Sequence, residues 1–185
     1  MARKPNLLWI ALCGAAVIFC VTLAHADDAN RAKARSLVDA AIQLTDSKQA
    51  VKMLWQATDI DPTLQEPYVY LSLYYQSRSD FDDMVKVYQK LIKYQPNQVT
   101  AYLNIAEAYM SYNPPRTQDA MLYYRKALEM DPHNAFAQLR MGQLMYQTGN
   151  REESIKYLRM ALTDGAKNPS ITEQVNQTLK AMGAM

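Results

Sequence analysis

Cysteine is nearly absent from this sequence. Its 185 residues hold two, Cys13 and Cys20, both within the first 26 positions. The remainder has no disulfide, no thiolate metal site and no covalent haem site. Histidine is equally scarce: beyond residue 26 only His133 remains. A general base needs an orienting partner, and none can be identified around it, so His133 beside Pro132 reads as a turn residue. That leaves no Ser-His-Asp or Cys-His set, and no catalytic residue is expected. Glycine occurs five times, and no H-E-x-x-H, P-loop or G-x-G-x-x-G is present. Charge of one sign is lacking too. Without Arg3 and Lys4, the 20 basic residues fall to 18, against 18 acidic ones. A balance near zero gives no reason to expect nucleic acid or an anionic membrane surface as a partner.

What is present begins with an apolar N-terminus. In "MARKPNLLWIALCGAAVIFCVTLAHADD", Arg3 and Lys4 precede an apolar run from Leu7 to Leu23, and Ala24-His25-Ala26 closes it. This is the charged, apolar and small-x-small order of a secretory signal peptide over 1–26, cut after Ala26. The run is slightly long for a signal and slightly short for a span, so an uncleaved anchor is the alternative. In both cases the positive charge lies ahead of the run and the rest of the chain is exported, periplasmic or secreted. Leu12 before Cys13 and Phe19 before Cys20 do not suit a lipoprotein.

The remainder repeats. "DIDPTL", "KYQPNQ" and "EMDPHN" place Pro62, Pro96 and Pro132 at intervals of 34 and 36 residues, and such a period points to a repeat architecture. Aligned on the prolines, first helices carry Tyr68, Leu71 and Tyr75, then Tyr102, Ile105 and Tyr109. Second helices carry Met84, Tyr88 and Leu91, then Ala120, Tyr124 and Ala127. Steps of three and four put each set on one helical face. A pair of such helices cannot bury its apolar face alone, whereas stacked pairs can.

This pattern resembles the tetratricopeptide repeat, W-x2-L-G-x2-Y, then A-x3-F, then P, at a 34-residue period. Met141-Gly142 takes the Leu-Gly place, and "TGNREES" at 148–154 is similar to the family's inter-helix turn. A first copy supplies Leu37, Ala41, Ala50, Leu54, Ala57 and Pro62. The resemblance implies an all-α fold, a right-handed helical solenoid of about four helix-turn-helix repeats. They are about 31–64, 65–98, 99–134 and 135–169 within an array over 27–169, followed by a capping helix and tail over 170–185. Ala34 and Gln138 depart from the aromatic place. The third copy has two extra residues in "SYNPPRTQD", where Pro114-Pro115 put the added length in the turn. Ser170 and Glu173 have capping-box spacing at the start of the last helix. Gly165 is a stop for the helix before it.

Other candidate chemistry has plainer readings. Asp80, Asp82 and Asp83 lack the alternation and glycine of a calcium loop and suit a helix start, as cap and dipole complement. Asn134 can cap the helix after Pro132. Clustered methionines could bind Cu(I), but Met141 and Met145 fall on core places, and Met182 and Met185 lie in a tail that should fray. No metal site and no cofactor are expected.

The resemblance also implies a groove. First helices of such repeats line a concave surface that takes a peptide or a helix of a partner protein. The matching residues are Val69, Tyr70, Leu73 and Gln76; Leu103, Asn104, Glu107 and Met110; and Phe136, Leu139, Arg140, Gln143 and Tyr146. Chaperone-binding relatives grip a carboxylate at five places. Asn104 and Arg140 match two of them, while Val69, Leu73 and Phe136 replace the others. The groove is therefore expected to be apolar and aromatic, with Arg140 as an anchor, or else partly packed against neighbouring helices. The implied function is a non-enzymatic interaction scaffold of the cell envelope. The alternatives are an accessory subunit of an envelope enzyme or assembly complex, and a small-ligand or copper carrier.

Overall fold

The computed structural model describes residues 27–184; the signal-peptide reading of 1–26 lies outside them. The described residues form nine α-helices and no strand. Helix α1 covers 27–42. It is followed by α2 (Ser47–Ile60), α3 (Glu66–Ser77), α4 (Phe81–Tyr94), α5 (Val99–Met110), α6 (Thr117–Met130), α7 (Ala135–Gln147), α8 (Arg151–Asp164) and α9 (Pro169–Ala181). This is an all-α helical-repeat fold. One compact unit runs to Leu71 and a second starts at Ser72. Among the described residues no helix is long and apolar enough to cross a membrane.

In the first unit, α1 buries Ala34, Val38 and Ala41, and α2 buries Leu54, Ala57 and Thr58. Asp61, of the "DP" pair, ties the turn after α2 to α1. Its carboxylate takes the Arg31 Nε at 3.0 Å, and the Thr63 amide and hydroxyl at 2.9 and 2.6 Å. The second unit packs in sequence order, α4 on α5, α5 on α6, α6 on α7, α7 on α8 and α8 on α9, with α9 also reaching α7. Its core includes Ile105, Tyr124, Leu139, Met141 and Leu158, all fully buried.

The aromatic place and the inter-repeat proline are linked directly. The Tyr68 hydroxyl donates to the Pro62 carbonyl, and the Tyr102 hydroxyl to that of Pro96, each at 3.1 Å. Gln138 does the same by other means: its Nε2 donates to the Pro132 carbonyl at 2.7 Å. The departure seen in the sequence therefore keeps the polar contact and gives up the ring. It leaves Gln138 Oε1 buried without a partner, a cost of about 1–3 kcal/mol.

Helix ends follow local chemistry, with two corrections. Asn134 caps α7, accepting from the Ala137 amide at 3.1 Å. The cap of α9 is Asn168 and not Ser170: its Oδ1 accepts from the Ser170 and Ile171 amides, with Pro169 in the first turn, where a missing N–H costs nothing. Glu173, expected to close a capping box, accepts instead from Gln177 at 2.7 Å. Asp80 stands at the N-cap of α4 without a side-chain cap bond. Its carboxylate lies 3.7 Å from Arg78, while Asp82 and Asp83 occupy the first turn and complement the dipole.

Close approach explains Gly142. A Cβ there would lie 2.7 Å from Leu158 Cγ, so α7 and α8 touch almost backbone to side chain. The Ser154 hydroxyl, fully buried, donates to the Gly142 carbonyl at 2.7 Å across the same contact. Met182, expected to fray, is 5% exposed and belongs to the core cluster of α7, α8 and α9. An apolar side chain with a core to enter does not stay in water merely because it is near the chain end.

Candidate functional site

The structure treats the thirteen groove candidates unequally. On α3, Val69 and Tyr70 fall in the first unit and are 53% and 41% exposed. Leu73, in the second unit, is 56% exposed, and Gln76 is exposed as well. On α5, Leu103, Asn104, Glu107 and Met110 are half-buried, as are Phe136, Arg140 and Gln143 on α7. Tyr146 is exposed, with its hydroxyl 3.5 Å from the Ala181 carbonyl. Leu139 is corrected: it is fully buried against Leu158 and α9. Its place in the repeat turns it into the core, and it offers no surface.

Arg140 is also not the open anchor expected. Its Nε and Nη2 donate to the two oxygens of Glu107 at 2.8 and 2.6 Å. This is a fork-to-fork pair with geometric as well as electrostatic specificity. Nη1 lies 3.4 Å from Gln143 Oε1, and the guanidinium sits 5.2 Å from the Phe136 ring centroid. Glu107 accepts a third bond from the Tyr124 hydroxyl. Tyr124 is fully buried. Burial first, and then the bond to the Glu107 carboxylate, pushes its hydroxyl far above the ordinary tyrosine value, so it stays a donor. The sequence assigned Tyr124 only to the core; its spacing from Glu107 carries no pattern that would have paired them.

A second cluster gathers at the long turn after α5. Tyr109 stacks near Tyr112 and Tyr123, at centroid distances of 6.0 and 5.6 Å, and Phe81 lies 5.8 Å from Tyr112. The Arg116 guanidinium lies 4.7 Å from the Tyr109 ring. Tyr112 donates to Asp82, and burial, then that carboxylate, raise its hydroxyl to about 12.

His133 does have a partner, which the sequence could not reveal. Its Nδ1 lies 3.1 Å from Asp164 at the end of α8, and the other Asp164 oxygen takes Gln138 Nε2 at 2.6 Å. Asp164 is thus tied to the turn before α7 and to a buried amide, a structural arrangement. Among the described residues no three His, Cys, Asp or Glu side chains are placed to hold a metal ion.

The comparisons agree with this geometry. Residues 116–172 match the family described as tetratricopeptide repeat. Tetratricopeptide repeat protein 21B of Mus musculus is 24% identical over 131 residues, 70% of this chain but 10% of that protein. The chain thus spans about a tenth of the curated relative it matches. The crystal structure of MamA superposes with a TM-score of 0.59 at 15% identity, covering 75% of this chain and 80% of that one. The TPR2B domain of yeast Sti1, in a complex with pHsp70, gives 0.54 at 25% identity, covering 60% of this chain and 90% of that one.

The fold is therefore that of a helical-repeat protein, a class that generally mediates protein–protein interaction. Within that class, residues 116–172 match the tetratricopeptide repeat, and the chain is similar to proteins built from it.

Proposed function

We propose that this protein is a non-enzymatic interaction scaffold of the cell envelope. Residues 1–26 export it, and a peptide or helix of a partner protein docks on the first helices of its repeats. The observation that carries the reading is the set of large apolar side chains that α3 leaves in water. That helix buries Tyr68, Leu71 and Tyr75, yet leaves Val69, Tyr70 and Leu73 exposed. Core packing does not require these large apolar side chains, Val69 and Tyr70 in the first unit and Leu73 in the second, and exposed apolar side chains of this size favour an interaction surface. Phe136 and Tyr146 are further aromatic candidates on α7, and a few such anchors dominate most interfaces.

The test is partner capture from envelope extracts, with the Tm of each variant measured alongside, because Phe136 also packs against the α7–α9 core cluster. Tyr70→Ala, Leu73→Ala and Phe136→Ala should each weaken binding of the captured partner by about 1 kcal/mol or more, with helical content unchanged. Lys86→Ala, on α4 and paired with Asp83 in its own turn, serves as the neutral control. Full binding by all three variants, with loss on substitution within Tyr112–Arg116, would move the partner to the long turn. Protein recovered from an exporting cell should begin at Asp27; an intact N-terminus in the membrane fraction would replace the cleaved signal with an anchor.

A further inference from the structure

We propose that Glu107 is a specificity-determining residue: it fills the Arg140 guanidinium with a carboxylate from within the chain, so the α5–α7 surface turns away acidic partner groups and accepts a segment that is uncharged there. The inference rests on the reading of this surface as a docking site. Of the thirteen candidates, only Glu107 and Arg140 carry charge, and they cancel one another. The Nε and Nη2 donors of Arg140 are already used, at 2.8 and 2.6 Å, and one face of the guanidinium lies by Phe136.

The Glu107 carboxylate is not a surface side chain free to swing aside. Three donors from two other helices hold it: Arg140 Nε and Nη2 on α7, and the Tyr124 hydroxyl on α6. Side-chain exposures of 30% for Glu107 and 34% for Arg140 keep the pair partly out of water. An incoming carboxylate would have to displace Glu107 and strip the buried Tyr124 hydroxyl of its acceptor. Otherwise it must sit beside Glu107 as a like charge, which costs affinity in either arrangement. A neutral helix or peptide face meets a pair already neutralised, with little further charge to desolvate. The pair also joins α5 to α7, one repeat apart. A staple with no other role would weaken the fold when cut but would not change what Arg140 binds.

That difference sets the experiment. Purified wild type, Glu107→Ala and Glu107→Gln are titrated with acetate, using chloride at matched ionic strength and acetamide as controls. Glu107→Ala leaves Arg140 and the Tyr124 hydroxyl facing a carboxylate-sized gap. Acetate should raise its Tm saturably by about 2–4 °C over both controls, and wild type should not respond. Should Glu107→Ala fail to fold, the 15Nε resonance of Arg140 in Glu107→Gln carries the test. It should move with acetate in the variant and stay fixed in wild type. An acetate response of wild type equal to that of the variants would show Arg140 open all along. Folded variants that ignore acetate would leave the pair as a staple only. Either result overturns the proposal. The docking reading is judged separately, since its failure would appear as undiminished partner capture by Tyr70→Ala and Leu73→Ala.

Discussion

The Arg116 amide donates to the Tyr109 carbonyl at 2.9 Å, seven residues back. Asp80 makes the corresponding bond to Tyr75 at 2.9 Å, and Asn150 to Met145 at 2.8 Å, each five residues back. The two extra residues of the third repeat thus bulge within the turn, and the closing bond is kept. The bulge is covered by the Tyr109, Tyr112 and Arg116 cluster, which turns an insertion into a packed surface feature.

In the two shorter turns the residue before the closing donor has a backbone requirement. Gly149 has φ +83°, and Ser79, at the same place two repeats earlier, has φ +58°. Side chains make the left-handed region unfavourable by roughly 1 kcal/mol or more, and glycine removes that cost. Ser79→Gly should therefore stabilise the protein by up to about 1 kcal/mol, and Gly149→Ala should destabilise it by about as much. A Cβ at Gly149 would meet nothing within 4 Å, so the second effect is purely one of backbone. Urea midpoints check both; opposite signs are required, and a neutral Gly149→Ala would defeat the argument.

The repeat itself was legible because it rests on local signals: apolar spacing, prolines, turn residues. Core places such as Tyr68, Leu71 and Ile105 follow from that spacing. The candidate surface was less legible. Leu139 and Arg140 are neighbours in sequence, yet one enters the core and the other pairs with Glu107, 33 residues away. Sequence spacing assigns a helical face; it does not say which charge finds which partner across a repeat. The same gap hid the His133–Asp164 contact, 31 residues apart. At α9 the miss was local: Asn168 and Ser170 are both good caps, and Pro169 decides between them by fixing the first turn after Asn168.

Acid should weaken the fold through two carboxylates. The Gln138 amide and then His133 hold Asp164 below the ordinary aspartate value. At Asp61 burial pushes upward, but the bonds from Thr63 and Arg31 outweigh it and leave the group lowered. A lowered folded value gives stability that is complete above the unfolded value of 3.8 and lost as pH falls through the folded one. Wild-type stability should thus decline from about pH 4 downward. Asp164→Asn retains an acceptor for Gln138 and removes the titrating group, so its decline should be shallower; Asp61→Asn with Asp164→Asn should be shallower still. Urea unfolding between about pH 6 and 3 reads this directly. Parallel profiles for wild type and both variants would place the acid sensitivity elsewhere.

Helix α9 should behave as the lid of the last repeat. Ile171, Val175, Leu179 and Met182 join Leu139, Leu158 and Ala161 in one buried cluster, and Met182 Sδ reaches the Ser154 hydroxyl at 3.5 Å. Without α9 the buried faces of α7 and α8 would meet water, and stacked repeats depend on a terminal element to prevent that. Leu179→Ala removes a side chain that is 5% exposed and should cost about 2–4 kcal/mol. Glu173→Ala, on the exposed side of the same helix, should stay within about 0.5 kcal/mol. Deleting 169–185 should lower the melting temperature further or cause aggregation, because Leu139 and Leu158 lose their cover together. Thermal melts and light scattering distinguish these outcomes, and a truncated chain that melts like the intact protein would end the capping role.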